Sequence, residues 1–550
     1  MSLITDRSRQ MFPVLSAAQL EVAIGFASGP GQSFAPGEIV SAIGARNAPV
    51  WLIVEGEVRI VRRDGLGHER VVTTLSAGQF TGEVSHLAGR AAIAEGSAGA
   101  DGCRVFPLDV VHLRALLIGA AEISELMMRA LILRRADLIE GGASGSILVG
   151  SADEFHTRRL QGMLIRNGYP VTLLDADTDS EGRALVSRLG VAATDLPLMV
   201  CPDGTVLRRP TDLEAAACLG LTPEFDPAAV YDVAIVGAGP AGLATAVYTA
   251  SEGLSVVVLD QRAMGGQAGA SARIENYLGF PTGISGHALA ARAFNQALKF
   301  GAEVAIPMQV AALVCPPPAR SADPIELQLT SGEVLRARSV VIASGARYRR
   351  PAIEHLELFE GTGISYWATP VEAALCAGEE VALVGAGNSA GQAVVFLSSR
   401  VSRLHLLVRG KSLETSMSKY LIDRIAALPN VKVHLRTEIV SLEGDCATGL
   451  QGANCRNRDT GAVEPLALRH LFLFIGADPN ADWARDCVTT DDRGFILTGT
   501  SALPLETTRP GVFAIGDVRA GSTKRVAAAV GEGAAVVPQL HRRLATLKRA

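Results

Sequence analysis

Residues 233–260 read VAIVGAGPAGLATAVYTASEGLSVVVLD: a buried strand, a glycine-rich turn, a helix, and a second buried strand that ends in an acid. This order is typical of a dinucleotide-binding unit. The first glycine permits a tight turn, the second lets backbone N–H groups approach a pyrophosphate at the positive end of the helix, and the third lets helix and strand pack closely. The candidate residues are Gly237, Gly239, Pro240, Ala241 and Gly242 in the turn and, placed to bond a ribose hydroxyl, Asp260.

A second unit of the same kind occupies residues 379–410, EEVALVGAGNSAGQAVVFLSSRVSRLHLLVRG. Its second strand ends in Arg409, with Lys411 close by, where the first unit has an acid. A cationic end suits the 2′-phosphate of NADP and favours NADPH over NADH. The alternative is that both cations are solvated surface charges. The turn and helix start, in which alanine replaces the third glycine, consist of Gly385, Gly387, Asn388, Ser389 and Ala390.

Two such units in 550 residues predict an α/β multidomain protein with two Rossmann-like domains, because the chain is too long for one hydrophobic core. The net charge of -5 lacks the basic excess of a nucleic-acid-binding protein. No 18-residue window is free of charges and of glycine or proline breaks, and the amino terminus is charged where a signal peptide needs an apolar stretch. We therefore expect a soluble, cytoplasmic protein that binds neither nucleic acid nor membrane.

The chain has eight cysteines, and no two of them stand in a C-x-x-C spacing. This scatter excludes the usual dithiol and zinc signatures. We expect no metal site.

The amino-terminal part of the chain has the pattern of a β-roll. Residues 50–63 and 70–80 alternate apolar and polar side chains on either side of a GLGHE turn. Over residues 109–138, apolar residues recur every three to four positions, which predicts one long closing helix. The predicted domain covers residues 1–142.

Residues 146–222 follow a GGASGS linker and read as strand, helix, strand, helix, hairpin and helix. This order resembles a small thioredoxin-like domain, with Pro197 where that family keeps a cis-proline. The usual cysteines of that family would lie near residues 151–156, and none is there.

Residues 230–550 resemble bacterial thioredoxin reductases through five ordered motifs. The motifs are GxGPAG in the first turn, GGQ at 265–267, IENYLGFP at 274–281, IASGA at 342–346 and IGDVR at 515–519. The resemblance implies an FAD-binding domain of residues 228–348 plus 474–550, with an NADP-binding domain at 349–473 inserted into it. It also implies FAD and NADPH as cofactors, a homodimer, and rotation of the NADP domain.

Position by position, the resemblance implies that Gln267 and Asn276 lie near the flavin and that Asp517 bonds the ribityl chain. The turn at Arg525, Val526 and Ala527 would direct a helix amino terminus at the pyrimidine edge of the flavin, where it stabilises negative charge. The remaining FAD-binding residues are expected to be Gln261, Gly266, Ala343, Ser344, Gly345 and Gly516.

The sequence departs from the reductases at the redox-active cysteines. Their C-A-T-C is replaced by W-A-T-P, so that Trp367 and Pro370 stand in the two cysteine positions, which are the candidate catalytic positions. Neither side chain can exchange disulfides. Trp367 either covers the flavin face that the disulfide would have used or packs between domains. A second departure is Glu414, which stands where the reductases have a later NADP-binding arginine.

The amino-terminal domain resembles cyclic nucleotide-binding domains through FAPGEIV, LIVEGEVRIV and GQFTGEVSHLAGR. Gly82 and Glu83 stand where that family binds a ribose hydroxyl, but the family's phosphate-binding arginine is absent from its usual position. Arg90 takes its place if the loop shifts by two residues. The domain is therefore expected either to bind a small-molecule effector or to be structural.

These features predict an FAD-dependent oxidoreductase that passes electrons from NADPH to an unidentified acceptor, without an active-site dithiol. Two alternatives remain: a thioredoxin-disulfide reductase that uses other thiols, with Cys376 the nearest, and a flavin or nucleotide sensor that does not turn over. The missing C-x-x-C favours the first function.

Overall fold

A computed structural model describes residues 3–63, 69–140, 146–151, 154–169, 171–201, 204–223, 225–317, 323–360, 363–368, 370–445, 449–500 and 502–547. In these ranges no helix is long and apolar enough to cross a membrane.

The first unit is an antiparallel β-roll closed by helices. Its sheet has the order β1–β5–β3–β4, with β2 paired to β5. The elements are α1 (Leu3–Met11), α2 (Ala17–Ile24), β1 (Gln32–Phe34), β2 (Ile39–Ser41), β3 (Val50–Arg63), β4 (Glu69–Ser76), a short 3-10 helix (Val84–Ala88), β5 (Glu95–Leu108), α3 (Val110–Gly119) and α4 (Ala121–Glu140).

The prediction of one long closing helix was wrong, because α3 and α4 are separate helices. Ala120 leaves the helical conformation with φ -121° and ψ 88°. Gly119 packs against the Phe26 ring, which a Cβ at position 119 would approach to 3.1 Å. Apolar periodicity continues through such a break because both helices bury the same kind of face, so the pattern alone does not reveal it.

The second unit forms a small mixed sheet of order β7–β6–β8–β9, in which β6 and β7 are parallel and β8 and β9 are antiparallel. The Leu196–Pro197 peptide bond is cis, as the sequence predicted. The elements are β6 (Ser146–Gly150), α5 (Phe155–Arg166), β7 (Val171–Asp175), α6 (Ser180–Leu189), β8 (Leu198–Val200), β9 (Val206–Arg208) and α7 (Asp212–Cys218).

The third unit has a mainly parallel sheet of order β12–β11–β10–β15–β14–β13, extended by β26 beside β15. The strands that carry the first glycine turn, β10 and β11, lie inside this sheet. The elements before the insertion are β10 (Val230–Val236), α8 (Pro240–Ser251), β11 (Val256–Leu259), α9 (Gly266–Gly269), α10 (Gly286–Phe300), β12 (Glu303–Ala305), β13 (Val310–Val314), β14 (Ile325–Leu329) and β15 (Val334–Ile342).

An inserted unit lies between β16 and β25, which pair antiparallel where the chain leaves and re-enters the third unit. Its parallel sheet has the order β17–β24–β18–β19–β20, beside an antiparallel sheet β21–β22–β23. The elements are β16 (Ala346–Tyr348), β17 (Ile364–Ser365), α11 (Pro370–Leu375), β18 (Glu380–Val384), α12 (Asn388–Ser398), β19 (Arg403–Val408), α13 (Lys419–Ala426), β20 (Val431–Leu435), β21 (Thr437–Asp445), β22 (Gly449–Asn457), β23 (Val463–Ala467), β24 (His470–Leu473) and β25 (Ala477–Pro479).

The chain ends in the third unit with β26 (Val512–Ala514), α14 (Val526–Ala535) and α15 (Val537–Leu547). One hydrophobic cluster includes both Leu116 of the first unit and Val233 of the third. Lys299 on α10 also donates to the Ser124 hydroxyl on α4 at 3.1 Å. The β-roll therefore shares a core with the third unit.

Candidate functional site

The first glycine turn has no room for side chains. Gly237 has φ +114°, and a Cβ there would collide with the carbonyl of Ala343. A Cβ on Gly242 would collide with the carbonyl of Gly237. Gly239 caps α8 without a side-chain hydrogen bond, so the N–H groups at the helix start remain available for an anion. These features fit the pyrophosphate of a dinucleotide.

Asp260 lies beside this turn, at the end of β11. Its Oδ2 accepts from the Ala238 N–H and its Oδ1 from the Arg262 N–H, both at 2.8 Å. Burial raises the pKa of Asp260, although these backbone donors oppose the rise. The carboxylate is thus fixed beside the glycine turn, and its bond to a ribose stays a prediction. The neighbouring Gln261 is exposed.

The GGQ segment closes over the same turn. Gly265 N–H donates to the Ala238 carbonyl at 2.7 Å, and Gly266 lies so close to Gly239 that a Cβ on it would be 3.2 Å from the Gly239 Cα. Gln267 Nε2 donates to the Ala346 carbonyl at 2.5 Å. Asn276 is exposed, so its predicted place near the flavin stays a prediction.

Hydrogen bonds fix the segment 343–345, where the chain passes from the third unit to the inserted unit. Ala343 N–H donates to the Val236 carbonyl at 2.8 Å. Ser344 Oγ donates to the Asn480 carbonyl at 2.6 Å, and Asn480 N–H donates to the Gly345 carbonyl at 3.0 Å. The IASGA segment therefore joins the first glycine turn to the returning chain.

A second uncapped helix lies near the carboxyl end of the chain. Arg525 caps α14 without a side-chain hydrogen bond, so Val526 and Ala527 begin the helix with free N–H groups. Gly516 N–H donates to Glu532 at 2.6 Å, and Lys524 Nζ donates to the Asp517 carbonyl oxygen at 2.6 Å. Burial raises the pKa of the Asp517 carboxyl, which Lys524 opposes. Sequence reasoning had not selected Lys524 or Glu532.

The second glycine turn is built like the first. Gly385 has φ +155°, and Gly387 caps α12 without a side-chain hydrogen bond. Asn388 Oδ1 accepts from the Ser418 N–H at 2.7 Å. Ser389 is exposed and Ala390 is buried against the core of the unit. The free helix start again suits a pyrophosphate.

Further cations flank Arg409 at the carboxyl edge of the inserted sheet. Val408 on β19 pairs with Leu435 on β20, so Arg409 and Arg436 leave the sheet side by side. Arg436 N–H donates to the Gly410 carbonyl at 3.0 Å, and Arg458 N–H donates to the Arg436 carbonyl at 2.7 Å. The sequence analysis missed Arg436 and Arg458. The signal for Arg436 was its place directly after a parallel strand.

Acids also lie within this cationic edge. Glu438 accepts from Arg456 at 2.6 Å, and Arg458 Nε lies 3.4 Å from the same carboxylate. Arg456 first, and then Arg458 and Arg409, hold the pKa of Glu438 below its ordinary value. Arg409 and Lys411 are exposed and form neither hydrogen bonds nor ion pairs with the described residues.

A family model for pyridine nucleotide-disulphide oxidoreductases matches residues 231–533, more than half of the chain, and includes both glycine turns. The chain belongs to the pyridine nucleotide-disulphide oxidoreductase family. A cyclic nucleotide-binding domain model matches residues 31–118. These matches confirm the resemblances to the reductases and to cyclic nucleotide-binding domains, and with them the Rossmann-like and β-roll parts of the predicted fold class. The thioredoxin-like resemblance of residues 146–222 stays a prediction.

Relatives of the oxidoreductase part include thioredoxin reductases. NADPH-dependent thioredoxin reductase 3 of Arabidopsis thaliana is 34% identical over 311 residues, 55% of this chain and 56% of that protein. Thioredoxin reductase of Mycoplasmopsis pulmonis is 32% identical over 305 residues, 55% of this chain and 94% of that protein. The chain thus matches about half the length of the Arabidopsis relative.

A solved structure shows the same architecture. Lactococcus lactis thioredoxin reductase, in its FR conformation, has a TM-score of 0.54 and 27% identity, and the match covers 57% of this chain and 99% of that one. Thioredoxin reductase-type members of the family bind FAD and NADPH, the two cofactors that the sequence predicts. The glycine turns and uncapped helix starts of this chain fit both nucleotides.

Trp367 was predicted, from the sequence resemblance, to replace a redox-active cysteine of the family. Its Nε1 donates to Glu372 Oε1 at 2.8 Å, and its ring centroid is 6.3 Å from that of Tyr348 on β16. Trp367 packs against the hydrophobic cluster of the inserted unit. Pro370 is the first residue of α11. The structure thus shows Trp367 at the connection between units, and its role toward the flavin stays a prediction.

The cysteines form two disulfides that the sequence analysis did not predict. Cys201 is bonded to Cys218 and Cys315 to Cys487, with Cα separations of 6.2 and 5.9 Å. Partners 17 and 172 residues apart carry no spacing motif, so only the fold brings them together. Cys446 lies outside the described residues. The free thiols of the described ranges, Cys103, Cys376 and Cys455, are buried.

The candidate effector residues Glu83 and Arg90 lie in the same region, where the Glu83 carboxylate opposes the lowering of the Arg90 pKa. Gly82 has φ +90°, and Glu83 is buried at the start of the 3-10 helix. Arg90 lies over the Phe294 ring of α10, 5.6 Å from its centroid. Burial lowers the pKa of Arg90 to about 10. Arg90 thus contacts the third unit.

Proposed function

We propose that the chain is an NADPH-dependent FAD oxidoreductase that delivers electrons to an acceptor other than an active-site dithiol. The proposal is supported by the sequence resemblance, which puts Trp367 and Pro370 at the family's two cysteine positions, within a fold that keeps both glycine turns. Bound FAD would supply the two-electron chemistry. The acceptor is a small molecule or a redox protein such as a quinone, oxygen or ferredoxin.

The residues of this chain would bind and orient the two nucleotides. The α8 start and Asp260 would hold the adenosine diphosphate half of FAD, and the uncapped start of α14 would stabilise negative charge on its isoalloxazine ring. The α12 start would hold the pyrophosphate of NADPH. The proposed FAD domain comprises residues 228–348 plus 474–550, and the proposed NADP domain residues 349–473.

The preference for NADPH rests on charge at the carboxyl edge of the inserted sheet. Arg409 and Lys411 are free to approach a 2′-phosphate, and Arg436 and Arg458 adjoin them. Arg436 Nη1 also lies 3.5 Å from Asp459 and Arg458 Nε 3.4 Å from Glu438, so the preference depends chiefly on Arg409 and Lys411. NADH is the competing donor, because an NADH dehydrogenase of Ferdinandcohnia aciditolerans is 30% identical over 329 residues.

The disulfide reductase alternative is weakened by the state of Cys376. Its side chain is fully buried, and burial raises its pKa to about 11. Disulfide exchange needs an accessible thiolate, which such a thiol does not supply at neutral pH. We infer that Cys376 is a packing residue of the inserted unit.

The test is anaerobic mixing of the purified yellow protein with NADPH or NADH while the flavin absorbance is followed. Rapid bleaching by NADPH and slow bleaching by NADH are expected. Absence of bleaching with either nucleotide would overturn the proposal and favour the sensor alternative. Cys376→Ser serves as the control, because the proposed path does not use this thiol and bleaching should be unchanged.

A second assay separates the acceptor classes. After reduction by NADPH, reoxidation by a quinone, by oxygen or by ferredoxin is compared with reoxidation by a disulfide substrate. Fast reoxidation by a disulfide that is lost in Cys376→Ser would establish the thiol route instead. Size-exclusion chromatography with light scattering tests the homodimer that the family resemblance implies.

A further inference from the structure

Glu83 is already engaged by residues of its own chain. Ser85 N–H donates to Glu83 Oε2 at 2.9 Å, and the Ser85 hydroxyl also donates to the carboxylate. Arg135 Nη1 on α4 lies 3.7 Å from Glu83 Oε1, and Glu83 is only 4% exposed. The carboxylate that would accept a ribose hydroxyl in a cyclic nucleotide-binding domain is therefore covered in this structure.

Arg135 connects Glu83 to the second unit. Its Nε donates to the Gly168 carbonyl at 3.0 Å, and its guanidinium lies 5.6 Å from the centroid of the Tyr169 ring. Tyr169 is 2% exposed and shares a hydrophobic cluster with Ile93 and Leu138 of the first unit. The turn of the second unit that contains Gly168 and Tyr169 thus packs against Arg135, the arginine that covers Glu83.

The same region contains more positive than negative charge. Arg62 is 5% exposed, and its Nε and Nη2 have no hydrogen-bond partner in the described part of the chain. One Nη of Arg134 is likewise without a partner among the described residues, while its other nitrogens bond backbone carbonyls. Buried guanidinium groups without an anion are costly. Glu83 and the nearby Asp137 are the acids that oppose this charge, so an anionic ligand would be favoured here.

The other side of the turn contacts the third unit. Asn167 Nδ2 donates to the Arg262 carbonyl at 2.9 Å, and Arg262 N–H donates to Asp260 Oδ1 at 2.8 Å. Asp260 is the residue proposed to bind the ribose of FAD. Three consecutive residues, 167–169, therefore link the region of Glu83 to the loop of the candidate FAD site.

We propose that the turn 167–169 is an intramolecular occupant of the effector pocket, and that the turn and a cyclic nucleotide exclude each other. A nucleotide that reaches Glu83 must displace Arg135, and with it the Gly168 and Tyr169 contacts. Departure of the turn also breaks the Asn167 contact with the loop after Asp260. This second step rests on the proposed FAD site, whereas the exclusion itself does not.

The first test is calorimetric titration of the full-length, flavin-loaded protein with cyclic AMP, without NADPH. Cyclic AMP binds only protein whose turn 167–169 has left the pocket, so the apparent affinity falls in proportion to the fraction of protein in that open state. Tyr169→Ala should raise this fraction and bind cyclic AMP at least about tenfold more tightly than wild type. Tyr169→Phe is the matched control, because it keeps the ring and its packing and should bind like wild type. Equal affinity of wild type and Tyr169→Ala would overturn the proposal.

A second variant covers the case in which Tyr169→Ala does not fold. Asn167→Ala removes the contact with Arg262 but leaves the ring, and it should also tighten cyclic AMP binding. Unchanged affinity in this variant would count against the proposal. Hydrogen exchange of the wild type supplies another readout: saturating cyclic AMP should speed exchange in residues 160–169. Protection of the β-roll without that increase would also refute exclusion.

These outcomes are independent of the proposed oxidoreductase activity. Cyclic AMP binding is measured without a nicotinamide nucleotide, so absence of flavin bleaching would leave the binding comparison intact. Conversely, an enzyme that is reduced by NADPH but shows equal cyclic AMP affinity in all variants would retain the proposed function and lose only the inferred coupling.

Discussion

Arg409 and Arg436 leave neighbouring parallel strands directly after the paired residues Val408 and Leu435, and the Arg436 N–H donates to the carbonyl of Gly410. The two cations therefore lie at the carboxyl edge of the inserted sheet, where open α/β sheets bind their ligands. Arg436 is 27 positions from Arg409 in the sequence, yet it adjoins it in the fold.

Arg436→Gln should weaken binding of a 2′-phosphate. A hydrogen bond to a charged group is worth roughly 1.5 kcal/mol or more, so we expect the Kd of 2′,5′-ADP to rise about tenfold. The Kd of 5′-AMP should stay unchanged. Calorimetric titration measures both. Arg403→Gln is the control, because Arg403 is exposed at the opposite end of β19. Equal losses of 2′,5′-ADP affinity in the two variants would contradict a 2′-phosphate site at Arg436.

Gly242→Ala should reduce FAD binding. The new Cβ would collide with the carbonyl of Gly237, which forces α8 away from β10 and misplaces the N–H groups at the helix start. We expect purified protein with a lower ratio of flavin to protein absorbance and a free energy of unfolding reduced by about 1–3 kcal/mol. Gly531→Ala is the control, since a Cβ there meets nothing within 4 Å. Full flavin content in Gly242→Ala would argue against this turn as the FAD site.

Trp367→Cys combined with Pro370→Cys should restore a dithiol pair. If these positions correspond to the family's cysteines, the new thiols will form a disulfide under mild oxidation, since a C-x-x-C spacing permits that bond. After reduction, thiol titration of the double variant should count two more reactive thiols than in wild type, and before reduction it should count none more. Each single variant is the control and should show one additional thiol before reduction. Two thiols that stay free under oxidation would mean that the positions do not correspond.

Acidification should destabilise the first unit through His86. Burial holds the pKa of His86 below its ordinary value, although the Glu83 carboxylate and the Glu83 carbonyl, 3.1 Å from His86 Nδ1, oppose the shift. Because the unfolded chain takes up the proton first, this stability is present above pH ~6.5 and is lost as the pH falls.

Urea unfolding at several pH values measures this effect. Between about pH 7.5 and pH 5.5, the free energy of unfolding should fall more in wild type than in His86→Asn, by on the order of 1 kcal/mol. Parallel slopes in the two proteins would show that His86 does not contribute.

The sequence predicted the structural elements that a few consecutive residues specify. Both glycine turns, Asp260 and the strand at residues 50–63 were recognised because turn geometry and strand alternation are written into a few consecutive residues. The break between α3 and α4 was missed, because the apolar spacing continues across Ala120, where the backbone leaves the helical conformation.

What the sequence by itself determined was the family, the fold class and the positions of the two glycine turns, because these follow from short-range patterns. Only the tertiary structure decided which distant residues meet: Arg436 with Arg409, Cys315 with Cys487, and Tyr169 with the arginine that covers Glu83. Such contacts arise when separate strands and units pack together, and no spacing along the chain encodes them.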